Sequence, residues 1–478
     1  MKPTISLFSS LFFLLISWSC QPPTPQSAER LNIVLLFADD HRASTLFNED
    51  VYMPRLRQLM GEGVTFPNAH IMGGNNGAVC TPSRAMLLTG RRLGQLPGNG
   101  HNIKEDHMLL GQLLGSEGYD TYGIGKWHNN RDAFSRAFSD GEAIFMGGMY
   151  DPWNTPLFHY DSTGKYTDSR RSIDNFFHDN VVDTLRGEYA ISGKHATEIF
   201  ADEAIQFLQT RQPEEEPFFL YVAFTSPHDP RTTPQAFMDL YADQEIPLPP
   251  NFMEEHPFDN GELIVRDEQL AETPRVASSI QRHIREYYAM VSHLDHEVGR
   301  IMDQLKAQGL DKNTLFIFAG DNGLAVGQHG LMGKQNVYQH SVNIPLIMRG
   351  PDIPSGESRE SFCYTIDIFP TICAYTQVSK PEGIDGISLL PAISENASIR
   401  EVLHFQYKKY QASIREENWK LIRYEVKGEQ HLQLFDLDAD PWELENLADN
   451  QPEKVQSLLA ASQEWVTAYG IPFGDQEE

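Results

Sequence analysis

Two oxygen-rich pairs of residues each follow a short apolar run, the second after an intervening glycine. Asp39-Asp40 follows the run Leu31 to Ala38, and Asp321-Asn322 follows the run Leu315 to Ala319. Adjacent carboxylates repel each other unless a positive charge lies between them, and oxygen ligands without His or Cys suit a hard cation such as Ca²⁺ or Mg²⁺. One such pair alone is usually a helix cap, but the two pairs together predict a metal site.

A turn with the pattern Cys-x-Pro-x-Arg begins at Cys80. We expect Thr81 to cap a short helix with Pro82 at its first position, followed by Ser83 to Thr89 and ended by Gly90. Cys80 would then face the free backbone N–H groups of the helix start, which favour an anion. A buried cysteine beside an ordinary cap is the alternative explanation.

Basic and imidazole side chains follow two further predicted strands. Thr121 to Gly125 leads to Lys126 and His128, and Phe218 to Phe224 leads to His228. In an open α/β sheet, ligands bind at the carboxyl ends of the strands. Any one of these residues alone is more often structural or a surface charge, but their shared position at strand ends makes them candidates for chemistry.

The elements that must position these side chains alternate between strands and helices, which favours a mostly parallel, doubly wound sheet. The apolar positions from Ile280 to Gln308 fall on one helical face, and Gly309 ends that helix. Shorter helices are predicted at Met53 to Gly61 and at Leu109 to Glu117. The pattern weakens from Arg131 to Lys194, which predicts long loops over the active edge.

The pattern changes after about Ile393, where short strands and a closing helix predict a small α+β subdomain with an antiparallel sheet. Its predicted elements are strands at Val402 to Tyr407, Gln411 to Arg415, Trp419 to Val426 and Gln433 to Leu437, and a helix at Pro452 to Tyr469. We therefore predict a signal peptide at residues 1–20, a tether at 21–30, a catalytic domain at 31–395 and a C-terminal subdomain at 396–478.

The first twenty residues have the features of a secretory signal peptide. The apolar run from Leu7 to Trp18 is too short to span a bilayer, and Ser19 precedes Cys20 and a Pro-rich stretch. A small residue before a cysteine indicates lipoprotein processing with a lipid on Cys20, and a plain cleaved signal is the alternative. We expect an exported protein, in the periplasm or anchored at the outer membrane of a bacterium.

Charge and cysteine usage narrow the function further. Lys and Arg number 38 against 66 Asp and Glu, which gives a net charge of -28. Such a surface repels nucleic acid and anionic membranes, and it would also repel an anionic substrate unless a local basic pocket received it. Cys363 and Cys373 lie in an apolar stretch, where they could pair or remain buried free thiols.

The sequence resembles the type I sulfatases of the alkaline-phosphatase-like superfamily from about Asn32 to Ala448. The stretches that carry the resemblance are Asn32 to Asp40, the Cys80 turn with Leu88-Thr89-Gly90-Arg91, Gly125 to His128, Ser226 to His228, Gly320 to Gly323, Gly327 to Lys334 and Leu434 to Leu437. Two positions depart from the family pattern. Asn129-Asn130 follows His128 where a glycine is often seen, and His340 stands where many relatives have an acid, so both could bear on substrate choice.

The resemblance implies an alkaline-phosphatase-like sandwich, a bound Ca²⁺, and conversion of Cys80 to formylglycine by a maturation enzyme. The metal ligands that it implies are Asp39, Asp40, Asp321, Asn322 and the matured residue at Cys80.

The resemblance also implies a covalent mechanism. One hydroxyl of the hydrated aldehyde at residue 80 would attack sulfur, while Arg84, Lys126 and Lys334 neutralise the sulfate oxygens. His228 would protonate the departing oxygen. His128 would take the proton from the second hydroxyl, so that the aldehyde forms again and sulfate leaves.

Aromatic residues in the predicted loops, such as Tyr150 and Trp153, suggest a sulfated oligo- or polysaccharide as substrate, because aromatic faces can stack on sugar rings. Two alternatives stay open. A phosphomonoester or phosphonate hydrolase of the same fold would use the same cation and basic pocket. A non-catalytic lipoprotein that binds sulfated glycan would leave Cys80 unmodified.

Overall fold

The computed structural model describes residues 30–167, 170–173, 182–185, 187–213 and 215–474. The predicted signal peptide with Cys20, and the tether apart from Arg30, lie outside these residues. Leu31–Glu478 forms one compact unit, and the subdomain boundary after residue 395 stays a prediction. In the part of the chain that is described, no helix combines the length and the apolar character needed to cross a membrane.

Short strands and helices alternate along the chain. The strands are β1 (Asn32–Ala38), β2 (Val64–Thr65), β3 (Ala69–His70), β4 (Gly73–Gly74), β5 (Asp120–Lys126), β6 (Asp140–Phe145), β7 (Arg170–Ile173), β8 (Val182–Leu185), β9 (Phe218–Ala223), β10 (Thr314–Gly320), β11 (Leu346–Arg349), β12 (Glu357–Ser358), β13 (Cys363–Tyr364), β14 (Val402–Tyr407), β15 (Gln411–Glu416), β16 (Trp419–Val426) and β17 (Glu429–Asp436). The helices are α1 (Pro54–Glu62), α2 (Cys80–Thr89), α3 (Leu110–Ser116), α4 (Arg131–Ala137), α5 (Ala196–Gln209), α6 (Gln235–Asp239), α7 (Ala277–Ala307), α8 (Gln339–Val342), α9 (Ile368–Thr376), α10 (Leu390–Glu395) and α11 (Pro452–Tyr469).

An eight-stranded, mostly parallel sheet forms the centre of the molecule, in the order β12-β2-β11-β10-β1-β9-β5-β6. The five strands from β10 to β6 run parallel, and β11 pairs antiparallel with both β10 and β2. β1, β9 and β10 are buried along their whole length, as central strands covered on both faces must be. The strands predicted from apolar runs are confirmed to within about one residue at each end.

Helices cover both faces of this sheet. Alternate residues of β1 point to opposite faces, so that Leu35 belongs to one apolar core and Leu36 to the other. The core containing Leu36 packs against α1, α5 and α7, while the core containing Leu35 packs against α2, α3, α4 and α9. The predicted α/β sandwich is confirmed.

The strand register brings the predicted site residues to one edge. Ala38 at the end of β1 pairs with Gly320 at the end of β10, so the acidic pairs leave the sheet side by side. β9 lies on the other side of β1, and its Ala223 pairs with Gly125 of β5. Four parallel strands therefore end at the same edge.

The prediction of loops throughout residues 131–194 was wrong for its first part. α4 and β6 lie there, and β6 forms the edge of the main sheet beside β5. Phe134 and Phe138 pack edge-on against Trp127, so this part of the chain belongs to the core. The strands β7 and β8 also form an antiparallel pair in this part of the chain.

A second sheet in the order β17-β16-β15-β14-β4 forms the predicted C-terminal antiparallel layer, with α11 packed against β15 and β16. Its β4 comes from far earlier in the chain and pairs parallel with β14. Gly73 has a φ of +98°, and a Cβ there would lie 2.2 Å from the carbonyl oxygen of Gln406, so only glycine fits. The second sheet thus holds the chain shortly before Cys80. Cys363 and Cys373 are both free, buried thiols.

Candidate active site

The two acidic pairs meet at the edge of the main sheet. Asp321 Oδ1 accepts a hydrogen bond from the Asp40 backbone N–H at 3.0 Å, and Asn322 Nδ2 donates to Asp40 Oδ1 at 2.7 Å. All four side chains are buried. Asp39 Oδ1 and Asn322 Oδ1 are buried without a hydrogen-bond partner among the residues described. Two oxygens in this cluster therefore remain available as ligands.

This donor set fits a hard divalent cation. Two groups of three side chains place one ligand atom each within 4.8 Å of one another. One group is Asp39, Cys80 and Asp321, and the other is Asp39, Asp40 and His228. Burial raises the pKa of the Asp321 carboxyl, and the neighbouring carboxylate of Asp39 raises it further. A cation would relieve this repulsion, and carboxylate and amide oxygens are what Ca²⁺ and Mg²⁺ prefer.

The helix that carries Cys80 begins earlier than the sequence suggested. α2 starts at Cys80, and the preceding Val79 is already helical, so the prediction that Thr81 caps the helix is wrong. The Thr81 N–H donates to the carbonyl of Ala78, which makes it part of the first turn. Pro82 fits within that turn because it has no N–H to leave unpaired. Gly90 ends the helix in a left-handed conformation, as predicted.

Side chains, and not free helix N–H groups, surround the sulfur of Cys80. The sulfur lies 3.2 Å from His128 Nδ1, 3.6 Å from Lys126 Nζ and 4.0 Å from Lys334 Nζ. Burial raises the pKa of the Cys80 thiol in spite of the two lysines. The unmodified thiol is therefore a weak nucleophile, because the thiolate is the reactive form.

Both lysines are buried and pair with the acidic cluster. Lys334 Nζ lies 2.5 Å from Asp40 Oδ1, and Lys126 Nζ pairs with Asp39 Oδ2. Burial alone would lower the pKa of Lys334, but Asp40 holds that pKa well above its usual range. Lys334 thus stays protonated while facing the sulfur of Cys80.

Arg84 lies behind the cluster. Its Nε and Nη2 donate to Asp321 Oδ2 at 3.1 and 2.9 Å, and its Nη1 donates to the carbonyl of Lys126 at 2.8 Å. Burial alone would lower the pKa of Arg84, but Asp321 raises the pKa of the guanidinium above its usual value. These bonds hold the Asp321 carboxylate towards the centre of the cluster.

The two predicted histidines line the cavity beside Cys80. Burial, followed by the charge of Lys126, lowers the pKa of His128 well below its usual value, so this imidazole is neutral and can accept a proton. His228 is held by a 2.7 Å contact between its Nδ1 and the carbonyl of Asp229, and its Nε2 lies 3.6 Å from Asp40 Oδ2. Nδ1 must donate in that contact, which leaves Nε2 as the nitrogen that faces the cluster.

A cavity of about 300 Å³ opens over Cys80. Of the predicted residues, Cys80, His128, His228 and Lys334 line it, whereas the remaining ones lie beneath or behind them. Eight further lining residues were not predicted as site residues, and they are Gly77, Ala78, Gly148, Met149, Val265, Arg266, Asp267 and Gln335. Gly148 and Met149 had a signal in the sequence, because they lie in the part of the chain predicted to form loops over the active edge. Gly77 and Ala78 also had one, because they come just before the Cys80 turn.

Gly148 and Arg266 constrain the two histidines. A Cβ on Gly148 would lie 2.3 Å from His128 Nε2, so the chain passes directly over that ring. Arg266 Nη1 donates to Asp229 Oδ1 at 2.9 Å, which fixes the residue whose carbonyl binds His228. Asp229 and Arg231 follow His228 closely in the chain, but they do not pair with each other. Asp229 pairs with Arg266 instead, and Arg231 contacts His283 at 3.1 Å.

The positions that depart from the family pattern lie outside the cavity. Asn129 donates to the carbonyl of Gly100 at 2.8 Å, and the Asn130 side chain accepts from the Ile103 N–H at 2.8 Å, so both support a loop. His329 stacks on Tyr338 with ring centroids 3.9 Å apart. His340 lines a different cavity.

Comparisons with known proteins agree with this geometry. A family model described as sulfatase matches residues 31–378, and one described as the C-terminal part of N-sulphoglucosamine sulphohydrolase matches residues 327–466. An arylsulfatase of Clostridium perfringens is 28% identical, over 88% of this chain and 91% of that protein. An N-acetylglucosamine-6-O-sulfatase of Bacteroides thetaiotaomicron is 25% identical, over 92% of this chain and 88% of that protein. A solved structure of a protein in complex with its substrate D-glucosamine-2-N,6-O-disulfate has a TM-score of 0.71 and 22% identity, and the match covers 94% of this chain and all of that one. The chain therefore belongs to the sulfatase family.

Proposed function

We propose that the protein removes sulfate from a sulfated oligo- or polysaccharide, with Cys80 matured to formylglycine and Ca²⁺ bound by the acidic cluster. The observation that carries this proposal is the position of Cys80. Its sulfur lies within 4 Å of two buried lysines and a neutral histidine, at the floor of a cavity above the oxygen-rich cluster. Relatives named for sulfated sugars support the choice of substrate class.

Lys126 and Lys334 would receive the sulfate group. Both ammonium groups are buried near residue 80, where water screens charge poorly, so each stabilises negative charge more strongly than at the surface. Arg84 would act through Asp321, by keeping that carboxylate turned towards the cluster. A bound Ca²⁺ would add positive charge beside the sulfate oxygens, and its ligands would be Asp39, Asp40, Asp321, Asn322 and the matured residue 80.

The matured residue would supply a hydrated aldehyde, one hydroxyl of which attacks sulfur while the other later expels sulfate as the aldehyde forms again. His228 would protonate the departing sugar oxygen through Nε2, because its Nδ1 is committed to the carbonyl of Asp229. His128 would accept the proton of the second hydroxyl, and its lowered pKa keeps it neutral for that step.

The mouth of the cavity suits a sugar. Met149, which is 44% exposed, lines this cavity, and Tyr150, also 44% exposed, lines a smaller cavity together with His228. Neither a phosphate nor a phosphonate ester is proposed as the main substrate, because the family model and the relatives reported above are sulfatases. A lipoprotein that only binds glycan has no need of the two histidines beside residue 80.

Mass spectrometry and a desulfation assay test the proposal together. The protein should be produced with a formylglycine-generating enzyme, and the tryptic peptide 58–84, which contains Cys80, should carry the aldehyde. That preparation should release sulfate from a sulfated glycan, and Cys80→Ala should not. An aldehyde-bearing protein that cleaves only simple aryl sulfates, or that prefers phosphate esters, would contradict the proposal.

Chelation tests the cation separately. Removing it should abolish activity and lower the midpoint of thermal unfolding, because three buried carboxylates would lose a shared counter-ion. Ca²⁺ should restore both properties. Full activity after exhaustive chelation, verified by metal analysis, would show that the cluster works without a cation.

Export and lipid attachment at Cys20 complete the proposal. The protein should fractionate with membranes in a bacterial host, and Cys20→Ala should release it into the soluble exported fraction. Equal membrane association of both forms would contradict lipid attachment.

A further inference from the structure

A second and larger cavity, of about 710 Å³, shares no lining residue with the one over Cys80. Its volume falls within the range of small-molecule sites, which is about 300–1,000 Å³. Three prolines between residues 247 and 250 form part of its wall, and Trp442, which is 36% exposed, forms another part. Flat apolar surfaces of this kind can pack against the C–H face of a sugar ring.

Two buried arginines also line this cavity, and neither forms an ion pair with a carboxylate anywhere in the described chain. Arg415 lies on β15, its Nε is buried without a partner, and its guanidinium packs over the ring of Phe362 at 4.7 Å. Arg42 also has a buried Nε without a partner, and among the described residues its side chain donates only a 3.4 Å hydrogen bond, to the carbonyl of Ala325, while its guanidinium packs over the ring of Tyr287 at 5.2 Å. A buried cation without a counter-charge is energetically costly. An anion bound in this cavity would supply the missing counter-charge for both guanidinium groups.

The acidic residues in the wall do not serve as that anion. Glu443 is committed elsewhere, since its Oε1 bonds to Lys420 at 2.6 Å and its Oε2 accepts from the Gln339 N–H at 2.8 Å. Asp50 is exposed to solvent, where its charge is screened. Burial lowers the pKa of Arg415 to about 10, against the pull of Glu443, so the guanidinium stays charged at neutral pH.

We propose that this cavity is a second binding site for an anionic sugar unit, in which Arg42 and Arg415 bind the sulfate or carboxylate and Trp442 packs against the ring. The site would hold part of a charged glycan away from the reacting centre. It does not depend on the reaction at residue 80, so its test is a binding measurement.

Titration calorimetry with glucose 6-sulfate and with glucuronate tests the site on the full chain carrying Cys80→Ala, which prevents turnover. We expect a binding event that each of two substitutions weakens by about tenfold or more. Arg415→Gln removes hydrogen bonds to a charged group, and Trp442→Ala removes the packing against the sugar ring. Lys334→Met, in the other cavity, should leave this event unchanged. Uncharged glucose should bind at least tenfold more weakly than either anion.

Arg423→Gln is the matched control, because Arg423 lies on the neighbouring strand β16 and bonds to Glu425 at 2.6 Å, outside this cavity. It should bind both anionic sugars like the parent. Binding that survives both Arg415→Gln and Trp442→Ala would overturn the proposal, as would inorganic sulfate binding as tightly as the sugar sulfate. If Arg415→Gln fails to fold, Trp442→Ala alone decides, since that residue is partly exposed.

Discussion

Replacing Lys334 by Met tests whether its buried charge serves catalysis as well as stability. The substitution keeps the length and apolar stem of the side chain and removes the ammonium group, which lies 2.5 Å from Asp40 Oδ1 and 4.0 Å from the sulfur of Cys80. Lys420 is a matched control, because it is equally buried and bonds to Glu443 at 2.6 Å but lies outside the cavity over Cys80.

Both substitutions leave a buried carboxylate without its cation. Breaking a buried ion pair by removing one partner costs on the order of 3–5 kcal/mol, so Lys334→Met and Lys420→Met should both lower the free energy of unfolding by amounts in this range. Guanidinium titrations of the full chain measure this loss. The two variants are therefore expected to be similar in stability.

Catalysis should separate the two variants. A preorganised charge that stabilises a transition state is worth about 2.7–4 kcal/mol, so Lys334→Met should lower kcat on a sulfate ester by about 10²–10³-fold. Lys420→Met should keep kcat within about twofold of the parent at a temperature where it is folded. The fraction of formylglycine in peptide 58–84 must be measured in each preparation, because a maturation defect would also lower kcat.

Two results would refute this reasoning. Equal losses of kcat in both variants would mean that Lys334 acts only through stability. Unchanged kcat in Lys334→Met, at equal formylglycine content, would mean that the sulfate group does not meet this ammonium.

Three further predictions follow from the same geometry. His228→Gln should lower kcat far more for a sugar sulfate than for nitrophenyl sulfate, measured by sulfate release, because nitrophenolate leaves without a proton donor. Gly148→Ala should lower kcat by about 10²-fold, because the new Cβ would lie 2.3 Å from His128 Nε2 and displace that ring. Burial raises the pKa of Asp295 from 3.8 to about 6, so the folded protein keeps a proton that the unfolded chain releases. Its stability should therefore fall as pH rises from about 4 to 6, by up to about 3 kcal/mol relative to Asp295→Asn, measured by denaturant titration at each pH.

Each of these predictions has a control on the same chain. Equal losses on both substrates in His228→Gln would contradict a role as proton donor. A Cβ on Gly77, which also lines the cavity, would meet no atom within 4 Å, so Gly77→Ala should keep kcat. The control for the third prediction is Asp243→Asn, because Asp243 is exposed and its replacement should leave the dependence of stability on pH as in the parent. If the stability of Asp295→Asn depends on pH as that of the parent does, the third prediction is contradicted.

The sequence could locate the acidic cluster because its physical basis is local. An unbroken apolar run predicts a central strand, and the residue that follows a parallel strand has a fixed place at the edge of the sheet. The prediction that Asp39 and Asp321 lie together therefore required no tertiary structure beyond the pairing of β1 with β10. Cys80 was identified through its resemblance to a family motif, because the local physics of the turn left a buried structural cysteine as an alternative.

The remaining wall of the site could not be predicted, because irregular segments deliver it. Arg266 and Asp267 lie in a short turn of 3₁₀-helix, and Gln335 lies in a loop without regular structure. Their positions depend on contacts far apart in the chain, such as the bond from Gln335 Nε2 to Asp267 Oδ2 at 2.7 Å. The early start of α2 was missed for a related reason, since a Thr before a Pro resembles a cap until the Ala78 carbonyl is seen to bind the Thr81 N–H.

The charge balance of the site explains how an acidic protein can receive an anionic substrate. The chain as a whole carries -28, which repels sulfate esters at long range. The buried carboxylates of the cluster are matched in number by buried basic side chains, which are Arg84, Lys126 and Lys334 against Asp39, Asp40 and Asp321. The cluster alone is therefore close to neutral, and a divalent cation among its oxygens would leave a net positive charge in a place shielded from the acidic surface. On this argument the cation determines whether the pocket attracts an anion, so partial chelation should raise KM for the sulfate ester before complete removal of the cation abolishes activity.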